Sequence, residues 1–161
     1  MDCSARFRFC FNMLIMRSII FYIIMTFSLF ACMQPGLADE AIAIVTQPSN
    51  EVSNLSLETL KLVYLRKLML DSNGKRWLPL NLPSSHELRI AFSLALFKSL
   101  PDEQESFWNE QYYQGITPPH VVASEEAVLR FVAITPGAIG YVNQRNVDER
   151  VKVLAVIKIV K

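Results

Sequence analysis

Residues able to do chemistry gather in a few places. Ser84-Ser85-His86-Glu87 sets two hydroxyls at what reads as a helix start. Free backbone amides and the positive helix end favour an anion there, and the hydroxyls add donors. The same spacing also reads as a capping box, with Ser84 accepting from the amide three residues on and Glu87 reaching back. Ser49 and Asn50 lie just past the end of a short apolar run, the position at which open α/β sheets hold ligands. Gly140 and Tyr141 fall in the apolar run that follows the Pro136-Gly137 turn. A glycine inside a strand marks close approach of a ligand or of another backbone, so Gly140 and Tyr141 are expected either to line the same crevice or to satisfy packing.

Other chemistries find less support. His86 and His120 lack a third partner at metal-site spacing. No serine elbow, zinc-binding helix or phosphate loop of the nucleotide-binding type occurs, so no catalytic step is expected. Arg66, Lys67, Lys75 and Arg76 form a basic cluster around a turn, suited to an anionic ligand or lipid head groups, or simply to solvation. Trp108 is expected to pack in the core from its helical spacing. With 16 Lys and Arg against 15 Asp and Glu, no basic face for nucleic acid is indicated.

Residues 1–38 differ in kind from the rest. Arg6, Arg8 and Arg17 precede a nearly unbroken apolar core, and Gly36-Leu37-Ala38 supplies small residues before Asp39. This is the pattern of a secretory signal peptide cleaved after Ala38. Leu29-Phe30-Ala31-Cys32 also resembles a lipobox that would be lipidated at Cys32, and Met13 and Met16 offer later starts. The apolar core is shorter than the roughly 20 residues of a spanning helix, so no integral membrane protein is expected after cleavage. Cys3, Cys10 and Cys32 would leave with the leader, so residues 39–161 must fold on an apolar core alone.

Several elements must position the candidate residues. Ala41 to Val45 reads as a buried strand, and Ser56 caps a helix carrying Leu57, Leu60, Leu62, Val63, Tyr64 and Leu65, apolar enough to pack on more than one face. Asp71-Ser72-Asn73-Gly74 is a turn. Trp77 to Leu82 reads as a strand that Pro79 assigns to an edge or an end. A helix follows Ser84, a second carries Phe107, Trp108 and Tyr112, and a third is capped by Ser124. His120 to Ala123 and Val151 to Val160 complete the strands. Strands alternating with helices indicate an α/β layered domain.

In order along the chain, Leu55-Ser56-Leu57-Glu58-Thr59-Leu60, Val63-Tyr64-Leu65, Asp71, Gly74, Trp77, the Pro83-Ser84-Ser85 helix start with Arg89 and Phe92, and Thr135-Pro136-Gly137-Ala138-Ile139-Gly140-Tyr141-Val142 resemble periplasmic phosphate-binding proteins of ABC importers. The resemblance is to the short, secreted members of that group. It implies a type II periplasmic-binding-protein fold, in which two α/β lobes close on an anion. This chain has room for about one such lobe, a mixed sheet flanked by helices, spanning residues 39–161.

The resemblance together with the residue readings above implies that phosphate or another small oxyanion would be held by Ser49, Asn50, Ser84, Ser85, Arg89, Gly140 and Tyr141, beside a transport system. The alternative is a ligand-free module that docks a partner protein, a transporter or other envelope component, through the former cleft. The family holds phosphate with a Ser-Gly-Thr run preceded by an Arg. Here the Gly-Thr pair is missing, Asn81 or Leu82 takes the place of that Arg, and Glu87 adds a negative charge. The family's Ile-Phe-Leu-Gly run becomes Val63-Tyr64-Leu65-Arg66.

Overall fold

A computed structural model describes residues 41–159. The expected signal peptide, residues 1–38, lies outside them. Strand β1 (Ala41–Thr46) is buried along its whole length. Its run of β-branched and small apolar residues suits a strand covered on both faces. Helix α1 (Leu57–Tyr64) starts at Ser56, whose side chain accepts from the Thr59 amide. Strand β2 (Leu78–Asn81) leads to helix α2 (Glu87–Phe97). A short 3-10 turn opens helix α3 (Glu105–Tyr113), and β3 (His120–Val121) follows. Helix α4 (Glu125–Ile134) is capped by Ser124, and β4 (Ala138–Asn143) and β5 (Lys152–Lys158) close the described chain.

The five strands lie in the order β3-β2-β4-β1-β5. β2 is parallel to β3 and β4, whereas β1 runs antiparallel to β4 and β5. This is the mixed α/β sheet expected. β2 is an internal strand, and of the two places expected for Pro79, an edge or a strand end, the structure shows the end. Pro79 pairs with Ile139 of β4, and β3 joins only from Leu80 onward. The proline therefore sits where one side of β2 has no neighbour to receive an N–H, and the sheet tolerates it.

The strand alternation of β4 sends successive side chains to opposite faces. Gly140 faces α4, where an added Cβ would collide with Val128 Cγ1 and approach Val132 Cγ2 at 3.5 Å. Tyr141 faces the other way and stacks on Phe92 of α2, ring centroids 4.0 Å apart and planes 7° apart. Tyr64 of α1 completes that cluster, 4.8 Å from Phe92. The sheet is thus covered by α1 and α2 on one face and by α4 on the other. Gly137, at φ +78°, turns the chain into β4; a Cβ there would run into the Arg76 carbonyl oxygen.

Two helix expectations are corrected. α1 buries one stripe, Leu60, Val63 and Tyr64, while Leu57 and Leu62 remain 48% and 42% exposed. α3 buries no residue, so Trp108 is half-buried rather than core, and Tyr112 and Tyr113 lie on the surface. Its aromatics stack on one another instead, Phe107 meeting Trp108 edge to face.

The end of α1 departs from common practice. Arg66 takes the left-handed conformation, φ 59°, just past the helix. Its amide bonds to the Val63 carbonyl and the Lys67 amide to the Leu62 carbonyl. These are the two bonds of a Schellman stop, a position usually given to glycine. A side chain there costs about 1–2 kcal/mol.

Candidate functional site

Asn81 is the last residue of β2 and is buried within an otherwise apolar run. Its Oδ1 accepts from Arg89 Nη1 at 2.5 Å and from the Tyr141 hydroxyl at 3.4 Å. The Tyr141 hydroxyl in turn accepts from the Leu82 amide at 3.1 Å. Tyr64 donates to the Leu80 carbonyl at 3.1 Å. These side chains come from α1, β2, α2 and β4, and converge where the parallel strands β2 and β4 end.

Arg89 is only 7% exposed. Among the described residues it forms no ion pair with a carboxylate. A guanidinium stays charged, so this end of the sheet carries a buried positive charge held by neutral acceptors. Burial pushes the Tyr141 phenol up; the charge of Arg89 and the Leu82 amide pull it back in part. Tyr64 is raised well above its usual value by burial first and by Tyr141 second, with Arg89 opposing. Both phenols remain neutral donors at ordinary pH.

Ser84 and Ser85 are exposed, on the loop between β2 and α2. They do not cap the helix. The His86 amide bonds to the Pro83 carbonyl, which makes the two serines the centre of a turn. The cap is His86, whose Nδ1 accepts from the Leu88 amide at 3.2 Å. Glu87 then falls in the first turn with its side chain exposed. The Ser-x-x-Glu spacing is present, but the turn after Pro83 shifts the helix start so that Glu87 opens the helix and cannot reach back.

Ser49 and Asn50 lie elsewhere. β1 runs against β4, and Thr46 pairs with Ile139 near the start of β4. The loop after β1 is therefore at the opposite end of the sheet from Asn81 and Arg89. Ser49 is exposed, and Asn50 is spent on structure. Its Nδ2 donates to Thr46 Oγ1 at 3.1 Å, its Oδ1 accepts from the Val52 amide at 2.9 Å, and its carbonyl accepts from Lys152 Nζ at 3.0 Å.

The structure thus brings Ser84, Ser85, Arg89 and Tyr141 to one end, places Ser49 and Asn50 at the other, and packs Gly140 against α4. Asn81 and Tyr64 were not among the residues expected. An asparagine inside the apolar run Leu80 to Leu82 is the signal that points to Asn81, because a buried amide needs partners.

No protein-family model matches the chain, and no curated protein matches it. Solved structures do. An ABC-type phosphate transport receptor from Vibrio cholerae aligns at TM-score 0.59 and 20% identity over 71% of this chain and 45% of that one. A phosphate ABC transporter substrate-binding protein from Clostridium perfringens, described with bound phosphate, aligns at TM-score 0.60 and 18% identity over 71% and 44%. PstS from Borrelia burgdorferi aligns at 0.56 and 19% over 72% and 47%. The chain spans less than half the length of each. Among the described residues no helix is long and apolar enough to cross a membrane. In fold, the described residues are similar to a single lobe of a phosphate-receptor-like periplasmic binding protein.

Proposed function

We propose that this protein binds a small oxyanion such as phosphate at the β2–α2 end of the sheet, acting in the periplasm or outside the cell beside a transport system. The observation that carries the reading is Arg89, a buried guanidinium with no carboxylate partner among the described residues, on the helix that an exposed pair of serines leads into. A buried charge is costly unless paired, and an oxyanion supplies the missing charge. Asn81 stands near the place where the resembled family carries its arginine. Here a guanidinium reaches that place from α2, held by Asn81 Oδ1.

On this reading the hydroxyls of Ser84 and Ser85 donate to the anion, and Arg89 supplies the positive field. Ser49, Asn50 and Gly140 contribute through packing and loop shape. No covalent step is involved. Export rests on the leader pattern, with cleavage after Ala38. The likeness to receptors that are substrate-binding proteins supports the transport context.

A second reading is favoured by one feature. His86 already occupies the helix cap and Glu87 adds negative charge to the first turn, so the end of β2 would instead dock a partner protein of the envelope, without a ligand. Calorimetric titration with phosphate and sulfate separates the two. Saturable heat that weakens about tenfold in a Ser84→Ala/Ser85→Ala double variant, as lost charge-assisted bonds should give, supports the anion reading. No heat at millimolar anion leaves the docking reading standing.

A further inference from the structure

Arg66 combines three features with one explanation. It fills a left-handed helix-stop position that favours glycine. Its Nε is buried and has no hydrogen-bond partner. Its guanidinium makes a single long bond, Nη1 to the Trp77 carbonyl at 3.4 Å, which sets it beside the residue following Arg76.

The surroundings are short of negative charge. Arg66 and Arg76 form no ion pair among the described residues. Lys67 and Lys75 are exposed nearby, and Lys75 pairs with Glu51 at 3.5 Å. Asp71 holds its turn, its Oδ1 accepting from the Asn73 and Lys75 amides, both at 2.8 Å, and forms no ion pair with either arginine among the described residues. Burial lowers the Arg66 guanidinium from its ordinary value, and the charge of Arg76 lowers it further. Arg66, with its unmet donor, thus lies beside the chain segment that carries Arg76 and feels that residue's charge.

We propose that Arg66 and Arg76 form an oxyanion site of the phosphate class, separate from the β2–α2 end. Guanidinium groups match phosphate oxygens in geometry and charge. An anion there offsets the mutual repulsion. It lies where β2 begins, at the opposite end of that strand from Asn81, so it stands or falls independently of the reading above. The anion is either free phosphate or the phosphate of a lipid head group.

The full-length chain and its Arg66→Gly variant are titrated with inorganic phosphate, and separately with phosphatidylcholine vesicles containing phosphatidylglycerol or lacking it. Glycine suits the left-handed position, so the variant keeps its fold, and a thermal melt checks this. The expected result is about tenfold weaker binding of one probe by Arg66→Gly, repeated by Arg76→Gln, with Ser84→Ala/Ser85→Ala leaving that loss unchanged. Loss confined to phosphate identifies the free ion; loss confined to phosphatidylglycerol vesicles identifies the head group. If the wild type binds neither probe, or Arg66→Gly binds both as the wild type does, the site does not exist.

Discussion

At the level of single residues, the β2–α2 end is built from groups whose removal leaves a partner stranded. Tyr141→Phe deletes the acceptor of the buried Leu82 amide and one donor to Asn81. The expected cost is about 1–3 kcal/mol, the penalty for an unmet buried group, measured by chemical denaturation. Gly140→Ala drives a methyl into Val128, and an overpacked contact of that kind costs about 1–3 kcal/mol. A loss of that size with anion binding unchanged would place Gly140 in packing alone. Glu126 illustrates charge at the surface. Arg150 first and Arg130 second hold it down to about 2 from an ordinary 4.5. A depressed carboxylate stabilises the fold above its unfolded value and loses that contribution as pH falls. Acid unfolding of Glu126→Gln should therefore depend less on pH between about 4.5 and 2 than that of the wild type.

At the level of elements, caps decide what could be read in advance. Ser56 and Ser124 cap α1 and α4 as their spacing indicates, each accepting from the amide three residues on. Ser84 fails because Pro83 folds the two serines into a turn, a local competition that a pattern match does not weigh. β1, β4 and β5 were legible from their apolar runs, and Gly140 from its place within one. Strand order was not: nothing in the run Thr46 to Asn50 tells which end of the sheet it leaves from, so Ser49 and Asn50 were grouped with residues at the far end. α3 carries aromatics at helical spacing but buries none of them fully, and periodicity alone does not reveal that. The stop of α1 carries its own prediction. Arg66→Gly relieves about 1–2 kcal/mol of left-handed strain against about 0.5–1 kcal/mol of added chain entropy. Stability should hold steady or rise by up to about 1.5 kcal/mol, read from the midpoint of urea unfolding.

For the whole molecule, the chain spans less than half the length of the receptors it resembles in fold. On the proposed reading, this lobe would hold its anion with two hydroxyls and one buried cation. The most direct measurement is therefore residue-resolved. Amide NMR shifts of the Arg66→Gly chain, which removes the proposed second site, are followed while inorganic phosphate is added. Saturating shifts at the amides of Ser84 through Arg89, with those of Ser49 and Asn50 unmoved, are the predicted outcome. Shifts absent from Ser84 to Arg89, or centred on the Ser49–Asn50 end, would contradict an oxyanion site at the end of β2.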